Sequence, residues 1–145
     1  MKTQIILLLI AGASVLSCSA QTKPATPIQV MKKYARLVGE MKADSISQMF
    51  TTDAEVGHEG QRSIRGRDSI YLFLSSFKDV KVVRNADSVT NVSAKNDSAV
   101  VEGFYRQTVI ISGKDTVNVK GQFTATMVAD QNRNWLISKM RTRSL

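Results

Sequence analysis

Residues 98–129 read SAVVEGFYRQTVIISGKDTVNVKGQFTATMVA, and this stretch decides the fold. It contains two runs, about 98–112 and 115–129, that are rich in Val, Ile, Thr and aromatic residues, which favour extended strands. The turn-prone residues SGKD separate the two runs. Two long strands joined by a short turn pair in antiparallel fashion, so this stretch predicts the centre of a β-meander.

Two further runs of similar composition, about 79–93 and 134–143, lie on either side of this hairpin. The segments KNDS and DQNRN separate them from it, and both are turn-prone. The second half of the chain therefore predicts one antiparallel sheet of four strands.

Helical periodicity precedes the sheet. The first predicted helix runs from Ile28 to about Met41, with one apolar stripe formed by Val30, Tyr34, Leu37, Val38 and Met41. A shorter helix is expected from about Ser45, and its apolar face consists of Ile46, Met49 and Phe50.

A third helix is predicted to open at Gly66, with Asp68 in its first turn, where an acid suits the helix dipole. Its apolar face consists of Ile70, Phe73, Leu74 and Phe77. Three helices placed before a meander have to cover one of its faces, so the predicted fold class is α+β.

The N-terminal segment MKTQIILLLIAGASVLSCSA has the layout of a secretory signal peptide, with Lys2, then an apolar run, then small residues. The apolar run is too short for a membrane span. The predicted organisation is a signal peptide over 1–20, a tether over 21–27 and one domain over 28–145, which suits a chain of 145 residues.

Two ways of processing this segment remain open. Val15-Leu16-Ser17-Cys18 resembles a bacterial lipobox, which would lipidate Cys18 and make it the first mature residue. Alternatively, Cys18-Ser19-Ala20 fits a small-x-Ala cleavage site, and the mature chain would begin at Gln21. Both predict export from a bacterial cytoplasm, to the periplasm or exterior or to a lipid anchor at the envelope. Cys18 is the only cysteine, so no disulfide is expected within the domain.

The chain carries a net charge of +8, and removal of residues 1–20, which hold one lysine and no acid, leaves +7. Lysines and arginines are scattered from Lys32 to Arg143 among the acids, which argues against a nucleic-acid partner. They predict a solvated surface attracted to anionic lipid or polymer. One histidine and one removed or lipidated cysteine cannot supply a metal cluster, and no glycine-rich phosphate loop is present, so any chemistry is expected to be cofactor-free.

Four segments occur in an order that resembles a known superfamily. They are YARLV, MFTTDAEV, IRGRDSIYLFL and the terminal WLISKMRT. Their order and spacing are similar to those of nuclear-transport-factor-like domains, particularly the SnoaL-like members, over nearly all of residues 28–143. The resemblance implies N-terminal helices packed on a strongly curved antiparallel sheet, a cone-shaped, cystatin-like barrel that encloses a ligand pocket. It also implies a homodimer.

Within this superfamily, the ketosteroid isomerases imply two catalytic candidates. Their catalytic tyrosine lies in a first-helix stretch similar to MKKYARLV, and Tyr34 stands at that position. Their catalytic aspartate follows a DATV-like stretch by two positions, where this chain has His58. Their third site residue, a protonated acid on a late strand, falls at 124–126, where this chain has Thr-Ala-Thr. That departure argues against steroid isomerisation.

The chemistry of the residues supports the same two candidates. Tyr34 lies on a buried stripe, so its hydroxyl either reaches a cavity or bonds to a carbonyl as an ordinary core tyrosine does. His58 follows a strand, and imidazoles titrate close to neutral pH, which suits proton transfer. The alternative for His58 is an exposed turn residue between Gly57 and Gly60, and the adjacent Glu59 is expected to be a solvated loop acid.

Other candidates lie on the predicted strands and at the third helix. Tyr105 and Phe123 are candidate ligand-binding residues, with Gln107 and Gln122 near them, although strand alternation turns only some of these four inward. Trp135 is expected to be a packing anchor. Arg65 and Arg67 flank a glycine at a helix start, where they either meet an anionic ligand or remain solvated.

Three functions of different classes follow. The one we favour is binding of a small, largely apolar ligand in the cone pocket, oriented by Tyr34 and His58. The second is a cofactor-free isomerase, lyase or cyclase, in which His58 takes a proton next to a carbonyl and Tyr34 stabilises the oxyanion. The third is a dimeric envelope scaffold, which an apolar outward stripe on the last two strands would favour.

Overall fold

The described part of the chain, residues 23–145, forms three helices and six strands in a computed structural model. The predicted signal peptide, Cys18 and the start of the tether lie outside these residues. The elements are, in order, α1 (Pro27–Gly39), α2 (Ala43–Ser47), β1 (Phe50–His58), β2 (Ile64–Arg65), α3 (Arg67–Ser75), β3 (Val80–Lys95), β4 (Ser98–Ile111), β5 (Asp115–Ala129) and β6 (Trp135–Ser144). The α+β class predicted from the sequence is confirmed.

The six strands form one sheet in the order β2-β1-β6-β5-β4-β3. Strands β3 to β6 are the predicted antiparallel meander, and their ends match the predicted runs to within about two residues. Strand β1 pairs with β6 in parallel, so the sheet is mixed rather than wholly antiparallel. Register shifts interrupt the β1–β6, β3–β4 and β5–β6 ladders. Such bulges bend strands and increase twist, which curves the sheet into a cone.

Local side-chain chemistry decides where α1 begins and ends. The Thr26 hydroxyl accepts a hydrogen bond from the Gln29 N–H, and the Gln29 side chain accepts one from the Thr26 N–H at 2.8 Å, a reciprocal capping box. Pro27 occupies the first helical position, where its missing N–H costs nothing. The helix ends at Gly39, two residues before the predicted end at Met41. Met41 has a φ of 54°, which is incompatible with a right-handed helix.

The second helix is shorter than predicted, because Phe50 is the first residue of β1 and not part of the α2 face. The Ile137 N–H donates to the Met49 carbonyl at 2.8 Å, so pairing with β6 begins directly after α2. Arg67 secures this junction, since its Nε and Nη2 donate to the Phe50 carbonyl at 2.9 and 2.5 Å. Long-range pairing thus overrides the helical spacing of Phe50.

The core fills the concave side of the sheet beneath α1 and α2. Its largest fully buried hydrophobic side chains are Phe50, Met31, Ile70, Met127, Ile137 and Val101. The Tyr34 ring meets the Phe50 ring edge-on, with centroids 6.0 Å apart. Trp135 is partly buried against the same core, as expected for a packing anchor.

The apolar face predicted for α3 is only partly buried. Ile70 enters the core, whereas Phe73 and Phe77 stay partly exposed and pack on each other edge-on, with centroids 4.9 Å apart. These two rings border cavities described below. Within residues 23–145, no helix is long and apolar enough to cross a membrane.

Candidate functional site

Two adjoining cavities lie between the helices and the concave face of the sheet, with volumes of about 280 and 350 Å³. Tyr34, Val38 and Gln107 line both of them, so the two form neighbouring lobes of one cleft. We call the first the polar lobe. The second is the apolar lobe. A cleft of this size, with a few polar groups among apolar walls, is typical of small-molecule sites.

The polar lobe brings together side chains from α1, β3, β4 and β6. Its polar members are Tyr34, Asn85, Asp87, Tyr105, Gln107 and Thr142. The remaining walls are mostly apolar and include Phe123, Met140 and Phe73. Asp87 is the only charged side chain that lines either lobe in the described part of the chain.

The apolar lobe is built from aliphatic side chains of the same strands. Val80 and Val82 of β3, Val109 and Ile111 of β4, and Val119 of β5 form its sheet side. The helical side includes Val38, Met41, Ala43, Ile46 and Leu74, and Phe77 borders the lobe beyond α3. This lobe therefore offers a ligand little except apolar contact.

Asp87 and Asn85 are site residues that sequence reasoning missed. Alternation that starts from Val80 and Val82 directs Arg84 and Ala86 inward, but a register shift between Val82 and Arg84 changes the phase by one residue. Asn85 and Asp87 then face the cavity. No sequence signal marked these two residues, because β3 carries several other polar residues and the bulge itself has no marker.

The carboxyl of Asp87 belongs to an exposed residue but lies at the cavity wall, where burial raises its pKa to about 6. It has neither an ion pair nor a hydrogen bond to any side chain within residues 23–145. Since an acid whose folded pKa is raised prefers its neutral form in the folded state, ionisation of Asp87 lowers stability as pH rises from about 4 to about 6. Above about pH 6, the full loss of folding stability persists. A partly desolvated, unpaired carboxylate that costs stability is typical of a functional group.

Tyr34 lines both lobes, and its hydroxyl makes no hydrogen bond to another residue of the described chain. Burial, together with the nearby charge of Asp87, raises the pKa of Tyr34 to about 12. The hydroxyl is therefore neutral and available to a ligand. This arrangement differs from the alternative of a core tyrosine bonded to a carbonyl.

Asn85 contributes an unused acceptor. Its Nδ2 donates to the Ala35 carbonyl at 2.6 Å, which orients the amide, and its Oδ1 is buried with no partner. Buried acceptors are almost always bonded in folded proteins, so an orphan at a cavity wall indicates a place for a donor.

Two glycines make room for the aromatic walls. A Cβ on Gly121 would lie 2.5 Å from the Tyr105 hydroxyl, and a Cβ on Gly103 would lie 2.8 Å from the Phe123 ring. Both rings thus lie over glycines of the neighbouring strand, and both line the polar lobe. Burial raises the pKa of Tyr105, and a hydrogen bond with Thr142 opposes that shift.

His58 lies at the end of β1 and lines neither lobe. Its Nδ1 is 2.9 Å from the Thr142 hydroxyl, and its Nε2 is 3.3 Å from that of Ser144. Thr142 therefore stands between the imidazole and the polar lobe. The structure does not bring His58 and Tyr34 to one cavity, and the roles predicted for His58 stay predictions. Glu59 is exposed, as expected.

The central-strand candidates divide by alternation. Tyr105, Gln107 and Phe123 line the polar lobe, whereas Gln122 faces outward and accepts a hydrogen bond from Arg143 at 2.5 Å. At 124–126, the residue that turns into the core is the buried Ala125, so β5 supplies no acid. The acid of this cleft comes from β3 instead.

The two arginines that flank Gly66 both have protein partners. Arg67 donates to the Phe50 carbonyl, as described, and Arg65 pairs with Glu55 at 3.0 Å. Glu55 also pairs with Arg141, and a hydrogen bond from Ser63, followed by these charges, lowers the pKa of Glu55. Neither arginine lines a lobe. Among residues 23–145, no three His, Cys, Asp or Glu side chains form a cluster suited to a metal ion.

Comparison with solved structures identifies the fold. The chain is similar to a ketosteroid isomerase-like protein from Erwinia carotovora atroseptica, with a TM-score of 0.72 and 15% identity over 80% of this chain and 91% of that one. It is also similar to an NTF2-like protein with a cystatin-like fold from Novosphingobium aromaticivorans, with a TM-score of 0.64 and 16% identity over 80% and 77% of the two chains. The chain has the NTF2-like fold.

A third similar structure is a protein from Catenulispora acidiphila in complex with S-DNPA, with a TM-score of 0.65 and 13% identity over 81% and 89% of the chains. No family model matches the sequence. No curated protein matches it either. The similar solved structures confirm the fold that was predicted from YARLV, MFTTDAEV, IRGRDSIYLFL and WLISKMRT.

The outward face of this NTF2-like sheet is polar on its last two strands. Its outward residues there include Lys120, Gln122, Thr124 and Thr126 on β5, and Lys139, Arg141 and Arg143 on β6. The apolar stripe that would favour a scaffold is not found in the described part of these strands. The predicted homodimer stays a prediction.

Proposed function

We propose that this chain is an exported domain that binds a small, largely apolar molecule in its two-lobed cleft, with Tyr34 orienting the ligand. The observation that carries this proposal is the continuity of the two lobes, because one set of three residues lines both. A molecule that spans the cleft would place its apolar part against β3 and β4 and its polar part beside the unbonded Tyr34 hydroxyl. The signal-peptide pattern of residues 1–20 supports the exported location, which mass spectrometry of the mature N terminus would test.

The similar structures support the ligand-binding part of this proposal. The Catenulispora protein was solved with a bound small molecule, and another similar structure is named ketosteroid isomerase-like. Because a shared fold hosts many functions, these likenesses raise the expectation of a cleft ligand without naming it.

The simplest test uses octanol, whose chain matches the apolar lobe. We expect the mature protein to bind octanol with a Kd on the order of 0.1 mM, because each buried methylene contributes about 0.8 kcal/mol before the cost of association. The Val109→Trp variant fills the apolar lobe and should weaken binding at least tenfold, as measured by isothermal titration calorimetry.

Ile110→Trp is the matched control, since neighbouring strand residues face opposite sides and Ile110 lines neither lobe. It should leave octanol affinity nearly unchanged. Equal losses in the two variants, or no binding by the parent protein, would contradict a cleft site.

A second candidate function is cofactor-free proton transfer, as in an isomerase, lyase or cyclase. It is favoured by one observation: the Asp87 carboxyl, with its pKa of about 6, shares the polar lobe with the neutral Tyr34 hydroxyl. Asp87 would then be the base, in the role first expected of His58, and the Tyr34 hydroxyl would donate a hydrogen bond to the developing oxyanion of the same carbonyl.

Deuterium exchange next to the carbonyl of cyclohexanone, followed by NMR in D2O, tests this second function. We expect Asp87→Asn to slow protein-catalysed exchange about a hundredfold and His58→Ala to leave it intact. No catalysed exchange by the parent protein would argue against the enzyme, whereas loss in His58→Ala alone would restore the histidine as base.

A further inference from the structure

We propose that the ligand of this cleft carries a protonated amine, which binds Asp87 and Asn85 in the polar lobe while its apolar chain fills the apolar lobe. This inference rests on the proposed binding function and specifies the ligand's chemical class.

The charge of the cleft favours a cationic ligand. Asp87 is the only charged residue that lines either lobe within the described chain, and it has no ion-pair partner there. Lys32 borders a neighbouring groove together with Asp87 but lies beyond ion-pair distance. The Asp87 carboxyl lies at the cavity wall with part of its surface open to water. A cationic ligand that closes over it would supply the charge partner that the described chain does not.

Asn85 and Asp87 together present hydrogen-bond acceptors to the polar lobe. The Asn85 amide donates to the Ala35 carbonyl, so the group left unbonded is the Oδ1 acceptor. Asn85 and Asp87 are two residues apart on one face of β3, about 7 Å from each other. An ammonium group has three donors and no acceptor, which complements a carboxylate and an amide oxygen. A carbonyl or carboxylate head placed beside Asn85 and Asp87 would instead bring acceptors against acceptors, although the Tyr34 hydroxyl of the same lobe could donate to it.

The aromatic lining of the polar lobe also favours a cation. The rings of Tyr34, Tyr105, Phe73 and Phe123 all border the polar lobe. Aromatic faces attract cations through their ring quadrupoles, and ammonium ligands are commonly held by such rings. The apolar lobe, whose lining carries no charged side chain, then suits the hydrocarbon part of an amine.

The test compares three probes of equal chain length: octylamine, octanol and octanoate. At pH 7.5, we expect the parent protein to bind octylamine about tenfold more tightly than octanol, because a charge-assisted hydrogen bond replaces a neutral one, and to bind octanoate most weakly. In Asp87→Asn, which keeps the shape of the side chain but removes its charge, octylamine and octanol should bind equally. This variant should remain folded, since ionised Asp87 costs stability.

Asp115→Asn controls for net charge, because this carboxylate lies at the exposed start of β5 and lines neither lobe. It should retain the preference for octylamine. Loss of the preference in this control would assign it to overall charge and overturn the inference. Equal binding of octylamine and octanol by the parent protein, or tighter binding of octanoate, would overturn the amine while leaving the cleft site intact. Failure of all three probes to bind would overturn the proposed function as well.

Discussion

Replacement of Phe50 by alanine should lower the free energy of unfolding by about 3–5 kcal/mol, as expected for truncation of a buried aromatic ring. Phe50 is 1% exposed and stands where α2 passes into β1. Its ring packs edge-on against Tyr34, and its carbonyl receives both Arg67 donors. Loss of the ring leaves a cavity that α1 and the sheet cannot both close upon, so transfer and cavity costs add.

Urea unfolding measures this effect, with Phe104→Ala as the matched control. Phe104 is 38% exposed on the opposite face of the sheet, so its truncation should cost at most about 1 kcal/mol. Because a stable domain of this size has only about 5–15 kcal/mol in total, Phe50→Ala should also unfold at a clearly lower temperature. Similar losses for the two variants would show that Phe50 does not anchor the core.

Replacement of Gly103 by alanine should destabilise the protein by about 2–3 kcal/mol through overpacking. The added Cβ would clash with the Ser88 carbonyl oxygen and would lie 2.8 Å from the Phe123 ring. The carbonyl belongs to the β3–β4 ladder and cannot retreat without loss of pairing. The ring would be displaced within the polar lobe, so ligand affinity should fall together with stability.

Gly39→Ala provides the control, since a Cβ there would meet only the Asn85 side chain, at an ordinary contact distance of 3.5 Å. Gly39 is the last residue of α1, and alanine is the stronger helix former, so the control should be neutral or up to about 1 kcal/mol more stable. Urea unfolding of the two variants compares them directly. A neutral Gly103→Ala would mean that β3 and β4 are more loosely paired than the contact distances indicate.

Sequence reasoning located most elements, because the signals that define them are local. The helical spacing of Val30, Tyr34 and Leu37 located α1, and turn-prone residues located the β3–β4 turn, where Asn96 adopts a φ of 54°, a conformation that asparagine tolerates. It failed at Phe50, whose helical spacing was overruled by pairing of β1 with β6. No local pattern in the sequence shows that β1, which lies among the helices in the chain, will pair with β6 at the other end of the domain.

The candidate site was predicted less completely. Tyr34, Tyr105 and Phe123, named from the sequence, all line the polar lobe, whereas His58 lies behind Thr142. The direction of a side chain at the end of a strand depends on the neighbouring strand. Here Thr142 of β6 lies between His58 and the polar lobe.

By itself, the sequence determined the order of helices and strands, the α+β class and the helical stripe that carries Tyr34. Apolar residues repeat about every 3.6 positions in a helix and every 2 in a strand, and each segment shows its own repeat. Only the tertiary structure decided which side chains of β3 meet the cavity. A single register shift after Val82 turns Asn85 and Asp87 inward in place of Arg84 and Ala86, and so exchanges a cation for a carboxylate at the cavity wall. Such a shift arises from the fit between β3, β4 and the curved sheet, a long-range property that the residues of one strand do not encode.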